Sequence, residues 1–313
     1  MANLRSIHLR VSLAAIVIAG MGGCTNIDFR EPVSSYNKGM DLSGAVLANY
    51  YSEINNQARD TYIIQAKYDE SKTVWETEGG VRTALVSAYP ADAIKARLDA
   101  ISLISQYGSK LAQLAGSDAP ERINAGVVNL GESYTKLSDH FREAAQLGNN
   151  DSSNKYVQPV TTIVGVLSEQ YADNKRDQLL NKAIKEGYPA VETILLLLES
   201  DIPYIHDLAE NNASDQLTLA TRYYNAKKDT MSFERRSSVL SEISEFAGNY
   251  QALTVNQPTN VVIAMREANA ALLEYANNPK DENRIVRLTS AIDTFNSRVG
   301  PIAEAVLKMR KTR

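Results

Sequence analysis

The amino-acid sequence predicts an all-α protein, an antiparallel up-and-down bundle of about eight helices. Apolar residues recur at alternating spacings of three and four along most of the chain, which places them on one face of a helix. Segments in which apolar and polar residues alternate, as in a half-buried strand, are nearly absent. Short breaks rich in proline, glycine and asparagine separate the periodic segments, and short connections favour antiparallel neighbours.

The N-terminal segment has the pattern of an export signal that ends at the single cysteine of the chain. Arg5 and Arg10 precede or border the apolar run 11–19, and residues 21–23 (Met-Gly-Gly) lead into Cys24. A basic start, a short apolar run and small residues before a cleavage site are typical of a secretory signal. The run is shorter than the ~20 residues of a membrane-spanning helix, so we do not expect it to cross a membrane.

The small-small-cysteine ending resembles the lipobox of bacterial lipoprotein precursors. This resemblance implies cleavage before Cys24, attachment of lipid to its sulfur and acylation of the new N-terminus. The sequence departs from the usual lipobox at Met21, where leucine is common. Thr25 stands where an aspartate favours retention in the inner membrane, so the resemblance implies an outer-membrane protein facing the periplasm. The alternative is a simple export signal in which Cys24 is an ordinary small residue.

The sequence divides into a signal peptide, a tether and one helical domain. We assign residues 1–23 to the signal peptide. Residues 24–40 show no sustained periodicity and are predicted to be the lipidated N-terminus and a tether. The helical bundle domain then occupies residues 41–313.

The first half of the domain is predicted to contain four helices, near residues 41–73, 90–115, 119–147 and 153–186. Pro90 and Pro120 stand where a helix can begin, because the first turn needs no backbone N–H donor. The clearest apolar stripe of this half runs from Ile123 to Ala144 with alternating spacings of four and three. Such a stripe predicts side-by-side packing of helices and carries no information on function.

The second half is predicted to contain four more helices, near residues 189–228, 232–256, 258–277 and 280–312. Pro189 and Pro258 mark the predicted starts of two of them. A long apolar stripe extends from Ile285 to Met309. The run 194–198 is apolar on nearly all sides, which predicts a fully surrounded segment at the centre of the bundle.

Chemistry-bearing motifs are scarce. The mature chain has two histidines, His140 and His206, and neither lies in a metal-binding pattern; Glu143 follows His140 at helical spacing, which is only half of a di-metal motif. The sequence contains no phosphate-binding loop and no nucleophile elbow. We therefore predict no catalytic residues, no metal and no cofactor, and we do not expect an enzyme.

Tyrosine is the unusual residue, with 16 copies against 5 phenylalanines. Many tyrosines fall on the apolar stripes, where they can serve either as core or as interface residues: Tyr50, Tyr51, Tyr62, Tyr107, Tyr134, Tyr171, Tyr250 and Tyr275. Tyr223 and Tyr224 differ because they lie in a polar stretch beside Arg222. These three residues are the predicted interaction surface.

The charge balance argues against a nucleic-acid partner. The whole chain has 33 basic and 37 acidic residues, and loss of the signal removes two arginines and no acid, which leaves a net charge of −6. Nucleic-acid binding needs a concentrated basic face. With one cysteine the chain has no internal disulfide, so packing alone must hold the fold.

Together these features predict a lipid-anchored, periplasm-facing helical protein that binds another envelope or secreted protein. A scaffold, a subunit of a complex, and an inhibitor or immunity protein all fit this description. Its predicted partners are the membrane, through lipid on Cys24, and a protein. The alternative is a carrier or sensor for a small ligand or lipid. It would have a cavity between helices bent at Pro203 and Pro301, because internal prolines remove a backbone hydrogen bond.

Overall fold

The structure is a computed structural model that describes residues 30–69, 91–116, 176–279 and 281–311, together with residues 71 and 162. Over these residues the backbone forms six α-helices and no β-strand. The helices are α1 (Arg30–Tyr68), α2 (Ala91–Leu114), α3 (Arg176–Lys227), α4 (Phe233–Val255), α5 (Thr259–Asn277) and α6 (Glu282–Lys311). The all-α class predicted from the sequence is confirmed for this part of the chain.

Four helices match the predicted elements closely: α2, α4, α5 and α6 begin and end within two residues of the expected positions. The predicted helix 119–147 and residues 153–175, apart from residue 162, lie outside the described residues. The stripe on α6 is buried from Leu288 to Met309, whereas its first residue, Ile285, is exposed. Apolar periodicity therefore located these helices because their buried faces follow it with little interruption.

Helix α1 begins earlier than predicted, and the predicted tether 24–40 is therefore too long. Residues 30–40 are already helical, and Val33, Tyr36 and Met40 are fully buried there at helical spacing. Serine, asparagine and glycine in this segment lower its intrinsic helix propensity, which hid the element in the sequence. Burial of three large side chains outweighs that weak propensity.

Helix α3 is one element of 52 residues, so the predicted break at Pro189 is wrong. Pro189 and Pro203 both lie inside the helix, although an internal proline costs about 3 kcal/mol. The apolar face continues across Pro189, because Ile184 before it and Val191 after it are buried in the same core. Continuous burial on both sides explains why the helix does not end there.

The segment 194–198 is less enclosed than predicted. Ile194, Leu195, Leu197 and Leu198 are buried, but Leu196 is 46% exposed. One side of α3 therefore faces solvent at this point.

Helix α1 runs parallel to α3. Tyr50 contacts His206 near the middle of both helices, and Tyr68 contacts Tyr223 near their C-terminal ends. The residue numbers of the contacting pairs rise together along both helices, so the two helices point in the same direction. Their C-termini therefore lie together at one end of the molecule, which we call the distal end.

Helix α1 is also parallel to α6. Arg310 near the end of α6 pairs with Glu53 in α1, at 2.8 Å between Nε and Oε1. Near the start of α1, a side chain at Gly39 would come within 2.5 Å of the Phe295 ring. Glycine at this position lets the two helices approach closely.

Helices α4 and α5 follow one another along α3, antiparallel to it. Asn181 near the start of α3 donates to the Ala276 carbonyl near the end of α5, at 2.7 Å. At the other end of α3, Ala220 packs with Phe246 of α4. The break at Pro258 thus divides what would otherwise be one long partner helix into two.

The buried apolar residues form two separate clusters. The main core takes side chains from all six helices and extends along α1 as far as Ile54. The second cluster, which we call the distal cluster, consists of Ile64, Tyr68, Ala220 and Phe246, at the C-terminal ends of α1 and α3 and in α4. The distal end is thus smaller, and among the described helices only α1, α3 and α4 build its cluster.

Candidate functional site

The predicted interaction surface lies at the distal end. Its three residues do not form one surface: they differ in exposure and do not all share one helix face. Tyr223 is half-buried, with its ring centroid 5.0 Å from that of Tyr68 and the Arg235 guanidinium 5.9 Å from its centroid. Tyr223 therefore packs against the distal cluster. Tyr224 is half-buried and Arg222 is exposed. Because successive helix residues are about 100° apart, Arg222 does not share the face of Tyr223.

A groove lies between α1 and α4 at the same end of the molecule, with a volume of about 540 Å³. Its lining residues combine a charged rim with an apolar floor: Arg59, Asp60, Ile63, Ile64, Lys67, Glu242, Glu245 and Phe246. Ile64 and Phe246 are buried and belong to the distal cluster, whereas Ile63 is 44% exposed. The groove thus exposes the apolar edge of the distal cluster between two charged walls.

A polar contact closes one end of the groove. The Glu242 carboxylate accepts hydrogen bonds from the Lys67 ammonium and the Tyr68 hydroxyl. Burial raises the pKa of Glu242, but these two bonds outweigh it and hold that pKa below its usual range. Burial and the same carboxylate raise the pKa of Tyr68. Both groups therefore keep their ordinary charge states at neutral pH, and the contact joins α1 to α4.

The acidic side of the groove also holds a carboxylate without a counterion. Glu245 is exposed and forms no hydrogen bond or ion pair with the residues that the structure describes. On the opposite wall, the Arg59 guanidinium lies 3.5 Å from Oδ1 of its neighbour Asp60. The open end of the groove therefore presents an unpaired negative charge.

The main core contains a buried ion pair that joins α2 to α3. Arg97 donates to both carboxylate oxygens of Asp201, each at 2.6 Å, and the two side chains are 3% and 2% exposed. Tyr51 of α1 donates to the same carboxylate at 3.3 Å. A two-point arginine–carboxylate contact is among the stronger hydrogen-bonded pairs in proteins, and here it fixes the relative positions of three helices.

His206 continues this buried network one turn further along α3. Its Nδ1 is 2.7 Å from the Tyr50 hydroxyl, and its Nε2 has no hydrogen-bond partner in the described part of the chain. Burial lowers the pKa of His206, and the opposing effects of Glu210, Asp207 and the Leu253 backbone are smaller. Burial therefore favours the neutral imidazole.

Sequence reasoning missed the Arg97–Asp201 pair, although a signal was present. Arg97 lies on the apolar stripe of α2, three residues after Ile94 and four before Ile101. Asp201 occupies the equivalent place on α3, four residues before Ile205. A single basic residue and a single acidic residue on two apolar stripes indicate a buried pair, because an unpaired buried charge is costly.

A second groove lies beside Pro301, close to the break between α4 and α5. It has a volume of about 370 Å³, and its lining residues are mostly polar: Val255, Asn256, Gln257, Asn260, Ser297, Arg298, Pro301 and Ile302. Pro301 thus lines an open groove on the surface. Pro203 lines neither this groove nor the one between α1 and α4.

Several predicted positions lie outside the described residues, among them Cys24, His140 and Glu143. In the part that the structure describes, no three histidine, cysteine, aspartate or glutamate side chains are grouped so that they could hold a metal ion. The described helices include none with an apolar stretch long enough to span a membrane. The chain matches no family model, no curated protein and no solved structure.

Proposed function

We propose that the protein is a lipid-anchored envelope protein that binds another protein at the distal end of its helical bundle. The groove between α1 and α4 carries this proposal. It combines an exposed isoleucine, Ile63, with Glu245, a carboxylate that has no counterion among the described residues, beside the apolar edge of the distal cluster. Exposed apolar groups rimmed by polar ones are typical of protein-binding surfaces.

The position of the groove relative to the proposed anchor supports this function. Cys24 precedes Arg30 by six residues, which span at most about 22 Å when extended. Helix α1 then has 39 residues, a length of about 58 Å at 1.5 Å per residue. Lipid on Cys24 would place the membrane near the start of α1, and the bundle of about eight helices would hold the groove at its far end.

The charge of the mature chain is consistent with a protein partner. Its net charge of −6 argues against nucleic acid, which needs a concentrated basic face. We assign no catalytic role to the network around Asp201. Its five side chains are each 3% exposed or less: Tyr50, Tyr51, Arg97, Asp201 and His206. This network serves to orient the helices.

The anchor and the binding site need separate experiments. For the anchor, cells that express the wild type or Cys24→Ser are labelled with a palmitate analogue and fractionated. We expect label and membrane association in the wild type alone. An equally labelled, membrane-bound Cys24→Ser variant would overturn the lipid anchor.

For the binding site, a photoreactive amino acid is placed at Ile63 and, as a matched control, at Leu307. Both positions are exposed apolar residues, but Leu307 lies on α6 away from the groove. After irradiation of intact cells, we expect one crosslinked protein at position 63 and none at position 307. Equal crosslinking at both positions, or none at either, would argue against a binding site at the distal end.

A second candidate is a small-ligand carrier, which the groove beside Pro301 favours. Native mass spectrometry of the purified full-length chain tests it. An added mass that disappears in Asn260→Trp, a substitution that fills this groove, would support the carrier. A spectrum of the unliganded chain alone would contradict it.

A further inference from the structure

The groove between α1 and α4 also indicates what kind of protein segment binds there, an inference that rests on the proposed function. We propose that it receives about two turns of an amphipathic helix from a partner protein, and that a lysine or arginine of that helix pairs with Glu245. The length of the groove, its floor and its charges support this proposal.

The length of the groove matches a short helix. Its α1 wall extends from Arg59 to Lys67, and the eight steps between these residues rise about 12 Å, or slightly more than two turns. Helix-in-groove recognition uses anchors at positions i, i+3 or i+4, and i+7, which span about 10 Å at 1.5 Å per residue. One face of two helical turns therefore fits the available wall.

The floor of the groove is apolar because α1 and α4 expose the edge of the distal cluster there. Ile64 and Phe246 are buried at its base, and Ile63 stands half-exposed at its side. Among the described helices only α1, α3 and α4 form this cluster. An added helix along α1 and α4 would complete a four-helix arrangement, in which each helix buries an apolar stripe against its neighbours.

The charges of the groove determine which amphipathic helix fits. Lys67 already pairs with Glu242, and Arg59 lies beside Asp60. Glu245 has no counterion among the residues that the structure describes. A cation next to the apolar ridge of the partner helix would neutralise Glu245, whereas an acidic side chain there would be repelled. Such charge complementarity gives specificity.

A display library tests this inference on the full mature chain. The library presents 14-residue helical peptides with a ridge of Leu, Ile, Phe or Met, flanked by positions that vary among Lys, Glu and Ala. The target is the chain with Cys24→Ser, and selection is repeated against the same chain carrying Ile63→Glu. We expect enriched peptides with lysine beside the ridge, which lose about tenfold or more in affinity with Ile63→Glu. Sequences enriched equally against both targets would overturn the proposal.

A charge reversal then tests the role of Glu245. Selection against Glu245→Lys is expected to favour glutamate at the flanking positions, because the unpaired charge of the groove changes sign. Both Ile63 and Glu245 are exposed, so the two substitutions should leave the melting temperature unchanged, and circular dichroism checks this. Unchanged lysine enrichment against Glu245→Lys would contradict the assigned pairing.

Three further outcomes would each overturn the inference in a recognisable way. If the chain is a dimer in light scattering and Ile63→Glu makes it monomeric, the groove binds a second copy. If no peptide is enriched but position 63 still crosslinks a protein in cells, the proposed function stands and the helical occupant is wrong. If no peptide is enriched and no protein crosslinks at position 63, the proposed function fails as well.

Discussion

The main core and the distal cluster are built on the same long helices, yet they differ in how completely they are packed. The main core takes apolar side chains from all six described helices. The distal cluster takes four buried residues from three helices, and the groove leaves its edge open. The apolar spacing along α1 and α3 therefore does not tell how many other helices pack against them at a given point along their length.

A layer of buried polar residues separates the two clusters. Gln57, Thr61, Gln216 and Asn249 are each 3% exposed or less. They lie where their helices pass from the main core, as at Ile54 and Leu253, to the distal cluster, as at Ile64 and Phe246. Thr61 accepts a hydrogen bond from the Gln216 amide at 2.8 Å, while both amide atoms of Gln57 and of Asn249 have no hydrogen-bond partner among the residues that the structure describes. We call these four residues the polar layer.

This difference has a consequence for stability. An unsatisfied buried polar group costs about 1–3 kcal/mol, so the polar layer weakens the coupling between the clusters. Regions with few buried apolar contacts open locally at a lower free-energy cost than the rest of a protein. We therefore expect the distal end to open without the main core, as a proposed binding region would. Four predictions test this comparison.

The largest effect is expected from Asp201→Ala in the main core. Removal of the carboxylate leaves the Arg97 guanidinium buried without its counterion, which costs about 3–5 kcal/mol of unfolding free energy. Urea denaturation followed by circular dichroism measures the loss. The double variant Arg97→Met/Asp201→Leu is the control, and it should recover most of the stability. A loss below 1 kcal/mol in Asp201→Ala would mean that the pair does not hold the core together.

The next effect is expected from Phe246→Ala in the distal cluster, at about 3 kcal/mol. Because the cluster is separate from the main core, the loss should be local. Hydrogen exchange is expected to accelerate in α4 and at the C-terminal ends of α1 and α3, while α2 and α6 keep their protection. Leu272→Ala, which truncates a fully buried residue of α5, is the control and should act on the main core. Uniform acceleration in Phe246→Ala would show that the two clusters unfold together.

A smaller effect of opposite sign is expected from Asn249→Leu in the polar layer. Leucine has nearly the same size and removes two unsatisfied polar atoms, which should stabilise the protein by about 1–2 kcal/mol. Asn269→Leu is the matched control, because Asn269 accepts a hydrogen bond from Tyr36 at 3.2 Å and its loss should destabilise. Destabilisation by Asn249→Leu would indicate that the polar layer is satisfied by bound water.

The sequence predicted the helices but not the division between the clusters. Apolar spacing identified α5 and α6 because nearly every stripe residue is buried. It could not reveal that α3 continues through Pro189, since burial by distant helices overrides a local signal. It missed the helical start of α1 at Arg30 for the same reason.

The residues singled out in the sequence lie at the same end of the molecule as the groove but do not line it. Tyr223 and Tyr224 lie on α3, whereas the groove is formed by α1 and α4. Ile63 and Glu245 are 182 positions apart in the sequence, and each looks like an ordinary surface residue of its helix. No spacing rule brings two such positions together, because the groove depends on how distant helices pack.

The smallest effect is expected from the pH dependence of His206, at the border of the main core. Burial lowers the pKa of His206 in the folded state below its ordinary value near 6.5. As the pH falls through 6.5, the unfolded chain takes up a proton that the folded chain does not, so the free energy of unfolding decreases. At higher pH, the free energy of unfolding should not depend on the titration of this histidine. Urea denaturation between about pH 5 and 8 measures the slope for the wild type and for His206→Phe. The variant should lose the part of the slope below pH 6.5, and Tyr224→Phe, which alters a half-buried residue at the distal end, should retain it. Identical slopes in the wild type and His206→Phe would mean that His206 has the same pKa in the folded and the unfolded chain.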